Sequence, residues 1–120
     1  MPTVLIYEPD DLMRELLEEW LTGAGYHVSA MVPCIPAPRV AVDLVIVSIE
    51  RPKRDGVGTA SVIRAAHPGA PIIAISAQFR AELSSAGTTA RSLGVAQVMA
   101  KPLTRDALLA AVSAIIDSVT

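Results

Sequence analysis

The chain has 120 residues, of which 52% are apolar and 18% are charged. This length corresponds to one domain of ordinary size, and the composition is too apolar for a disordered chain. A formal net charge of -2 and an aromatic content of 3% disfavour nucleic-acid binding, which uses basic surfaces or stacking rings. We therefore expect a single globular domain over residues 1–120 that binds no nucleic acid.

The hydropathy of the chain does not indicate a membrane protein, and its cysteine content does not indicate an oxidising compartment. No apolar run reaches the roughly 18 residues of a membrane span, and no basic segment leading into an apolar signal core follows Met1. The single cysteine, Cys34, has no partner for an internal disulfide. The sequence therefore predicts a cytoplasmic protein without a membrane segment.

Short β-rich runs alternate with longer helical runs, which is the pattern of parallel strands joined by crossover helices. Residues 3–7 form a continuous apolar run, as expected for a strand that is covered on both faces. From residue 10 to about residue 22, apolar side chains recur every three or four positions and predict an amphipathic helix that ends at Gly23 and Gly25. Further strands are predicted at residues 26–31, 43–48, 70–76 and 96–99, and a last helix at residues 104–119.

Two of the connections have unusual sequences. Between the second and third strands, Pro33, Pro36 and Pro38 lie close together, and a proline inside a helix removes a hydrogen bond and clashes with the preceding turn. We therefore expect residues 32–42 to be extended and partly exposed instead of forming a crossover helix. The fourth connection, residues 81–93, is rich in Ser, Gly and Thr, which predicts only a marginal helix.

The motifs at the predicted strand ends resemble those of one protein family. Residues 4–17 (VLIYEPDDLMRELL) resemble its first strand and helix, and residues 43–56 (DLVIVSIERPKRDG) resemble its phosphoacceptor strand and loop. Residues 71–77 (PIIAISA) and 101–103 (KPL) resemble its fourth strand with a switch hydroxyl and its Lys-Pro-Phe corner. Over nearly its whole length the chain is similar to the receiver domains of response regulators. We expect an α/β, flavodoxin-like open sheet of five parallel strands in the order 2-1-3-4-5, with the second helix replaced by the Pro-rich segment.

The resemblance also identifies positions at which this chain departs from the family. The family's third strand ends in the aspartate that accepts the phosphoryl group, whereas the matching residue here is Ser48. Of the two acidic residues that follow the family's first strand and help to hold Mg²⁺, only Glu8 has a counterpart. Val98 stands where the family has a switch aromatic. The predicted degenerate phosphorylation pocket consists of Glu8, Pro9, Ser48, Ser76 and Lys101.

We expect this pocket to bind Mg²⁺ weakly or not at all, and we predict no other cofactor, no metal site and no enzymatic activity. Mg²⁺ usually takes one or two carboxylates plus phosphate oxygens, and here Glu8 remains, with Asp10 available only if the turn bends inward. Ser48 carries a hydroxyl, which needs an activating base to act as a nucleophile. The two histidines, His27 and His67, are expected on the surface at the opposite edge of the sheet.

Several interpretations of the pocket stay open on the sequence alone. Ser48 is a neutral residue in a pocket without chemistry, a hydrogen-bond partner for a ligand, or a site of phosphorylation. Lys101 contacts an anion or forms a structural ion pair with Glu8. The basic residues that follow the strand ends form either an anion-binding rim or a solvated loop; they are Arg51, Lys53, Arg54 and Arg80.

The resemblance favours a stand-alone, atypical receiver domain that acts as a protein-interaction module in two-component signalling without aspartyl phosphorylation. The alternatives are a sensor that binds a small anion or nucleotide at the basic rim, and a switch that is phosphorylated on Ser48. The family implies a protein partner, such as a histidine kinase or an output protein. It also implies a partner-binding or homodimer face made by the fourth helix, fifth strand and fifth helix, at roughly residues 81–119.

Overall fold

The computed structural model describes residues 2–31, 42–77, 90–91 and 93–119, and these form a parallel sheet flanked by helices. The strands are β1 (Thr3–Tyr7), β2 (His27–Met31), β3 (Leu44–Ser48), β4 (Ile72–Ser76) and β5 (Gln97–Ala100). They pair in the order β2-β1-β3-β4-β5, and all four pairings are parallel. The helices are α1 (Asp11–Gly23), α2 (Pro52–Ala66) and α3 (Arg105–Val119). This is the predicted flavodoxin-like arrangement.

Helices cover both faces of the sheet, which is why its three central strands, β1, β3 and β4, are largely apolar. Successive side chains of a strand point to opposite faces, so alternate residues belong to different core clusters. On one face, Ile6 and Ile46 pack with Leu17 of α1 and Leu108 of α3. On the other face the cluster contains alternate strand residues together with Ile63 of α2 and two residues that precede β5, Ala90 and Leu93. The sheet is therefore the central layer of three.

Asp10 determines where α1 begins. Its carboxylate accepts hydrogen bonds from the backbone amides of Leu12 at 2.9 Å and Met13 at 3.2 Å, amides that have no partner within the helix. Asp10 itself is exposed. The carboxylate that the sequence offered as a further pocket ligand is thus used as a helix cap, and the turn does not bend inward.

The predicted strands and helices agree with the observed ones to within two residues at each end. The Pro-rich connection lies almost wholly outside the described residues, so its extended form stays a prediction. Most of the marginal fourth helix also lies outside them, although residues 90, 91 and 93 are helical. Within the described ranges, no helix has both the length and the apolar character needed to cross a bilayer.

One sequence expectation is wrong, because His67 is buried. It follows α2, and its Nε2 lies 2.8 Å from the hydroxyl of Tyr7. The two residues are only 6% and 3% exposed, respectively. Burial disfavours their charged forms, so it lowers the pKa of His67 and raises the pKa of Tyr7. His27 is exposed at the start of β2, as expected.

The lowered pKa of His67 predicts a loss of stability in mild acid. Below the ordinary histidine pKa of 6.5, the unfolded chain binds a proton that the folded chain still excludes. The free energy of unfolding should therefore fall as the pH decreases from about 6.5 towards 5, which urea unfolding at a series of pH values measures. His67→Gln should flatten this part of the profile, whereas the exposed control His27→Gln should keep it. An unchanged profile in His67→Gln would contradict the assignment.

Candidate functional site

The side chains predicted to form a pocket follow the carboxyl ends of four strands. Glu8 follows β1, Ser48 and Ser76 end β3 and β4, and Lys101 follows β5. Because parallel strands present their carboxyl ends at one edge, these residues lie near one another although they are far apart in sequence. The register supports this arrangement, since Ser48 lies opposite Ile75 of β4.

Lys101 is the centre of a small hydrogen-bonded network. Its Nζ donates to Oε2 of Glu8 at 3.0 Å and to Oγ of Ser48 at 2.8 Å. The backbone amide of Lys101 donates to the carbonyl of Ser76 at 3.0 Å, which continues the pairing of β4 with β5 and fixes where the side chain starts. Lys101 therefore forms the structural ion pair with Glu8 that the sequence analysis considered.

Glu8 is almost completely buried. Its side chain is 1% exposed, compared with 24% for Lys101. The second carboxylate oxygen, Oε1, accepts a hydrogen bond from the amide of Asp10 at 3.1 Å, and Arg14 donates to the carbonyl of Glu8 at 2.8 Å. A buried carboxylate is stable only when it is paired and hydrogen-bonded, and here both oxygens have partners.

The sequence analysis did not identify Arg14 as a supporting residue. The guanidinium forms an ion pair with Asp11, the first residue of α1, and also holds the backbone that carries Glu8. An arginine one turn after an acidic helix start is the signal that could have located it, because residues three apart are neighbours on a helix.

These residues do not fit a Mg²⁺ site. Mg²⁺ prefers several oxygen ligands in octahedral geometry, whereas the Glu8 carboxylate already binds an ammonium group and an amide. Pro9 supplies no carboxylate and Ser48 supplies a hydroxyl that faces Lys101. Within the described ranges, no group of three or more His, Cys, Asp or Glu side chains could hold a metal ion.

The network also does not activate Ser48 as a nucleophile. A lysine ammonium has three donors and no acceptor, so it cannot take the hydroxyl proton. The ammonium also donates to the Glu8 carboxylate at 3.0 Å, so its position is fixed between the two side chains. The contacts thus favour a static role for Ser48 as a hydrogen-bond acceptor.

The remaining predicted site residues surround this network. Ser76 is 1% exposed and Val98 is 8% exposed, so both belong to the interior. Pro9, Arg51 and Arg54 are exposed. The side chain of Lys53 and the whole of Arg80 lie outside what the structure describes. An anion-binding role for these basic residues stays a prediction.

Comparison with known proteins gives the family. A model of the response regulator receiver domain matches residues 4–113. The chain belongs to the response regulator receiver family. The transcription factor SKN7 of Candida albicans is 30% identical over an alignment of 114 positions that covers 92% of this chain and 20% of that protein. The chain thus spans a fifth of the length of this relative.

Solved receiver structures share the fold. A response regulator of Thermotoga maritima has a TM-score of 0.79 at 21% identity, with 98% of each chain covered. The non-phosphorylated receiver domain of HemR from Leptospira biflexa has a TM-score of 0.74 at 25% identity, covering 97% of this chain and 94% of that one. The family model, not these structures, shows that the chain is a receiver domain of the kind used in two-component signalling.

Removal of Lys101 should destabilise the receiver domain by leaving Glu8 buried and unpaired. We expect Lys101→Met to lower the free energy of unfolding by about 3 kcal/mol, and the double variant with Glu8→Gln to recover much of this loss. Urea unfolding of Lys101→Met, Glu8→Gln and the double variant measures the coupling energy between the two side chains. Asp11→Asn, which breaks an exposed ion pair with Arg14, is the control and should have a much smaller effect. Equal effects of Lys101→Met in both backgrounds would show that the ion pair contributes nothing.

Proposed function

We propose that this receiver domain is a protein-interaction module that signals without aspartyl phosphorylation. The observation that carries the proposal is the contact of Lys101 with both Glu8 and Ser48. Receiver phosphorylation, as the family resemblance implies it, needs a carboxylate nucleophile and a metal between the acidic residues and the phosphoryl group. Here the position of the nucleophile is a hydroxyl, and the carboxylate that would bind metal is paired with lysine.

The partner-binding surface is proposed to include the residues around β5 and α3. Arg91 and Arg105 are exposed on this side, while Ala90 and Leu93 anchor it to the core. Because no phosphorylation step is available in this account, the surface is presented constitutively. A histidine kinase or an output protein is the expected partner, a homodimer through the same face is the alternative, and a cytoplasmic location stays a prediction.

A switch phosphorylated on Ser48 is the second candidate function. Ser48 is partly exposed, and a phosphate on its hydroxyl would lie beside the Lys101 ammonium, which is a suitable counter-charge. Glu8 opposes this candidate, since its buried negative charge already neutralises Lys101. The same neutralisation weakens the case for a sensor of small anions, for which the exposed Arg51 and Arg54 would have to provide the affinity.

The proposal predicts that Mg²⁺ with beryllofluoride, a phosphoryl mimic, will not bind. The mimic requires a carboxylate at the phosphoacceptor position, to which beryllium attaches, and a bound metal that balances its charge. Here Ser48 occupies that position, and the Glu8 carboxylate that would bind the metal is paired with Lys101. An NMR titration measures this directly through the amide resonances of Ser48 and Lys101. Saturable shifts of these resonances at millimolar ligand would contradict the proposal.

The same titration can be repeated on variants that restore the carboxylates. Ser48→Asp with Pro9→Asp should bind the mimic, because one carboxylate supplies the nucleophile and the other helps to seat the metal. Ser48→Asp alone should not, since its new carboxylate competes with Glu8 for Lys101 and leaves a single further ligand for Mg²⁺. If Ser48→Asp alone binds Mg²⁺ with beryllofluoride, Pro9 does not contribute to the predicted failure of the parent chain to bind them.

Charge reversal on the proposed surface should weaken partner binding. Arg91→Glu with Arg105→Glu should reduce the affinity for a partner captured from the host roughly tenfold or more, as measured by calorimetry with the purified partner. Arg51→Glu with Arg54→Glu changes the net charge equally at the pocket rim and is the matched control. If the control pair, or Ser48→Ala, abolishes binding while the first pair does not, a ligand or phosphoserine switch replaces the interaction module.

A further inference from the structure

Arg64, in the last turn of α2, contacts the backbone of a second helical turn. Its Nη1 donates hydrogen bonds to the carbonyl oxygens of Gly94 at 2.8 Å and Leu93 at 3.2 Å. Residues 90, 91 and 93 are helical, so these carbonyls lie at the end of a turn. The last carbonyls of a helix lack partners within it, and the helix dipole favours a cation beside them.

This turn ends in a Schellman motif. The amide of Val95 donates to the carbonyl of Ala90 at 3.0 Å, and the amide of Gly94 donates to the carbonyl of Arg91 at 3.2 Å. Gly94 has the left-handed φ of +73° that this motif requires. The motif therefore satisfies the carbonyls of Ala90 and Arg91, and Arg64 binds those of Leu93 and Gly94.

Gly94 has a second reason to be glycine. A Cβ built at this position would overlap Nη1 of Arg64 and would lie 3.1 Å from its Cζ. Gly25 and Gly69 also have positive φ, but a Cβ at either of them meets nothing within 4 Å. Among these three glycines, a side chain competes with another group for space only at Gly94.

We propose that Arg64 is a shared C-terminal cap that holds α2 and the helical turn before β5 in a fixed relative position. Arg64 belongs to the last turn of α2, and its guanidinium bonds the carbonyls of Leu93 and Gly94 at the end of the second turn, so one side chain links the carboxyl ends of two helical segments. Ile63 and Leu93, one from each segment, belong to the same core cluster. The cap lies at the edge of the sheet where β4 and β5 begin, opposite to Lys101, and therefore acts independently of the pocket.

Amide hydrogen exchange measures the effect of the cap at the turn itself. Arg64→Met removes the charge and the donors but keeps the stem, and it should accelerate exchange of the Gly94 and Val95 amides roughly five- to tenfold. Amides in the middle of β3, such as that of Ile46, should be unaffected. Arg54→Met, which removes an exposed arginine from the first turn of α2, is the control and should change neither group. Unchanged exchange at Gly94 and Val95 in Arg64→Met would overturn the proposal.

A double-variant comparison tests whether Arg64 and Gly94 act together. Gly94→Ala should displace the guanidinium, so its effect on exchange should be smaller in the Arg64→Met background than in the parent. Gly25→Ala is the control, because it introduces similar backbone strain at a position where the new Cβ contacts nothing. Its effect on amide exchange should be the same in the parent and in the Arg64→Met background. Additive effects for Gly94→Ala would contradict the shared cap. If Arg64→Met does not fold, Arg64→Gln provides the same comparison with the same two outcomes.

Discussion

The Lys101 ammonium is the group on which the carboxyl edge of the sheet depends. It connects the ends of three strands, because it follows β5 and binds Glu8 after β1 and Ser48 at the end of β3. A carboxylate that is 1% exposed must have a charged or hydrogen-bonding partner, and Lys101 is that partner. The contact that stabilises this edge therefore also uses the oxygen that a metal ion would need. In the proposed function, this one contact both stabilises the edge of the sheet and opposes binding of a metal ion there.

The sheet and the Glu8–Lys101 pair were predictable because both depend on local patterns and a simple topological rule. Apolar runs such as residues 44–47 are typical of strands buried on two faces, and the helix signals between them predict parallel connections. Once the strands are parallel, residues that follow different strands meet at one edge. An ion pair between Glu8 and Lys101, which are 93 positions apart, was therefore one of the two interpretations of Lys101 that the sequence left open.

Other features depend on distances between helices, which the sequence pattern does not contain. His67 follows a helix like many surface residues, but it is buried and its ring contacts the hydroxyl of Tyr7, which is 60 positions away in sequence. Asp10 could have entered the pocket or capped α1, and the unpaired amides at the helix start decided the outcome. In the sequence, Arg64 looks like any arginine of an exposed helix surface. Only the structure shows that its guanidinium bonds the carbonyl of Gly94, 30 positions away. In each case a polar group is bonded to a partner that is either distant in sequence or one of several that the sequence allows.

The most direct test of the account is the state of the Lys101 side chain itself. Hydrogen bonds to Glu8 and Ser48 should slow exchange of the ammonium protons enough for a side-chain ¹H–¹⁵N resonance to be observed. The account predicts that this resonance is present without metal and does not shift when Mg²⁺ is added to millimolar concentration. A saturable shift or loss of the resonance, accompanied by a change at the Glu8 carboxyl carbon, would show that metal displaces Lys101 and would contradict the central claim.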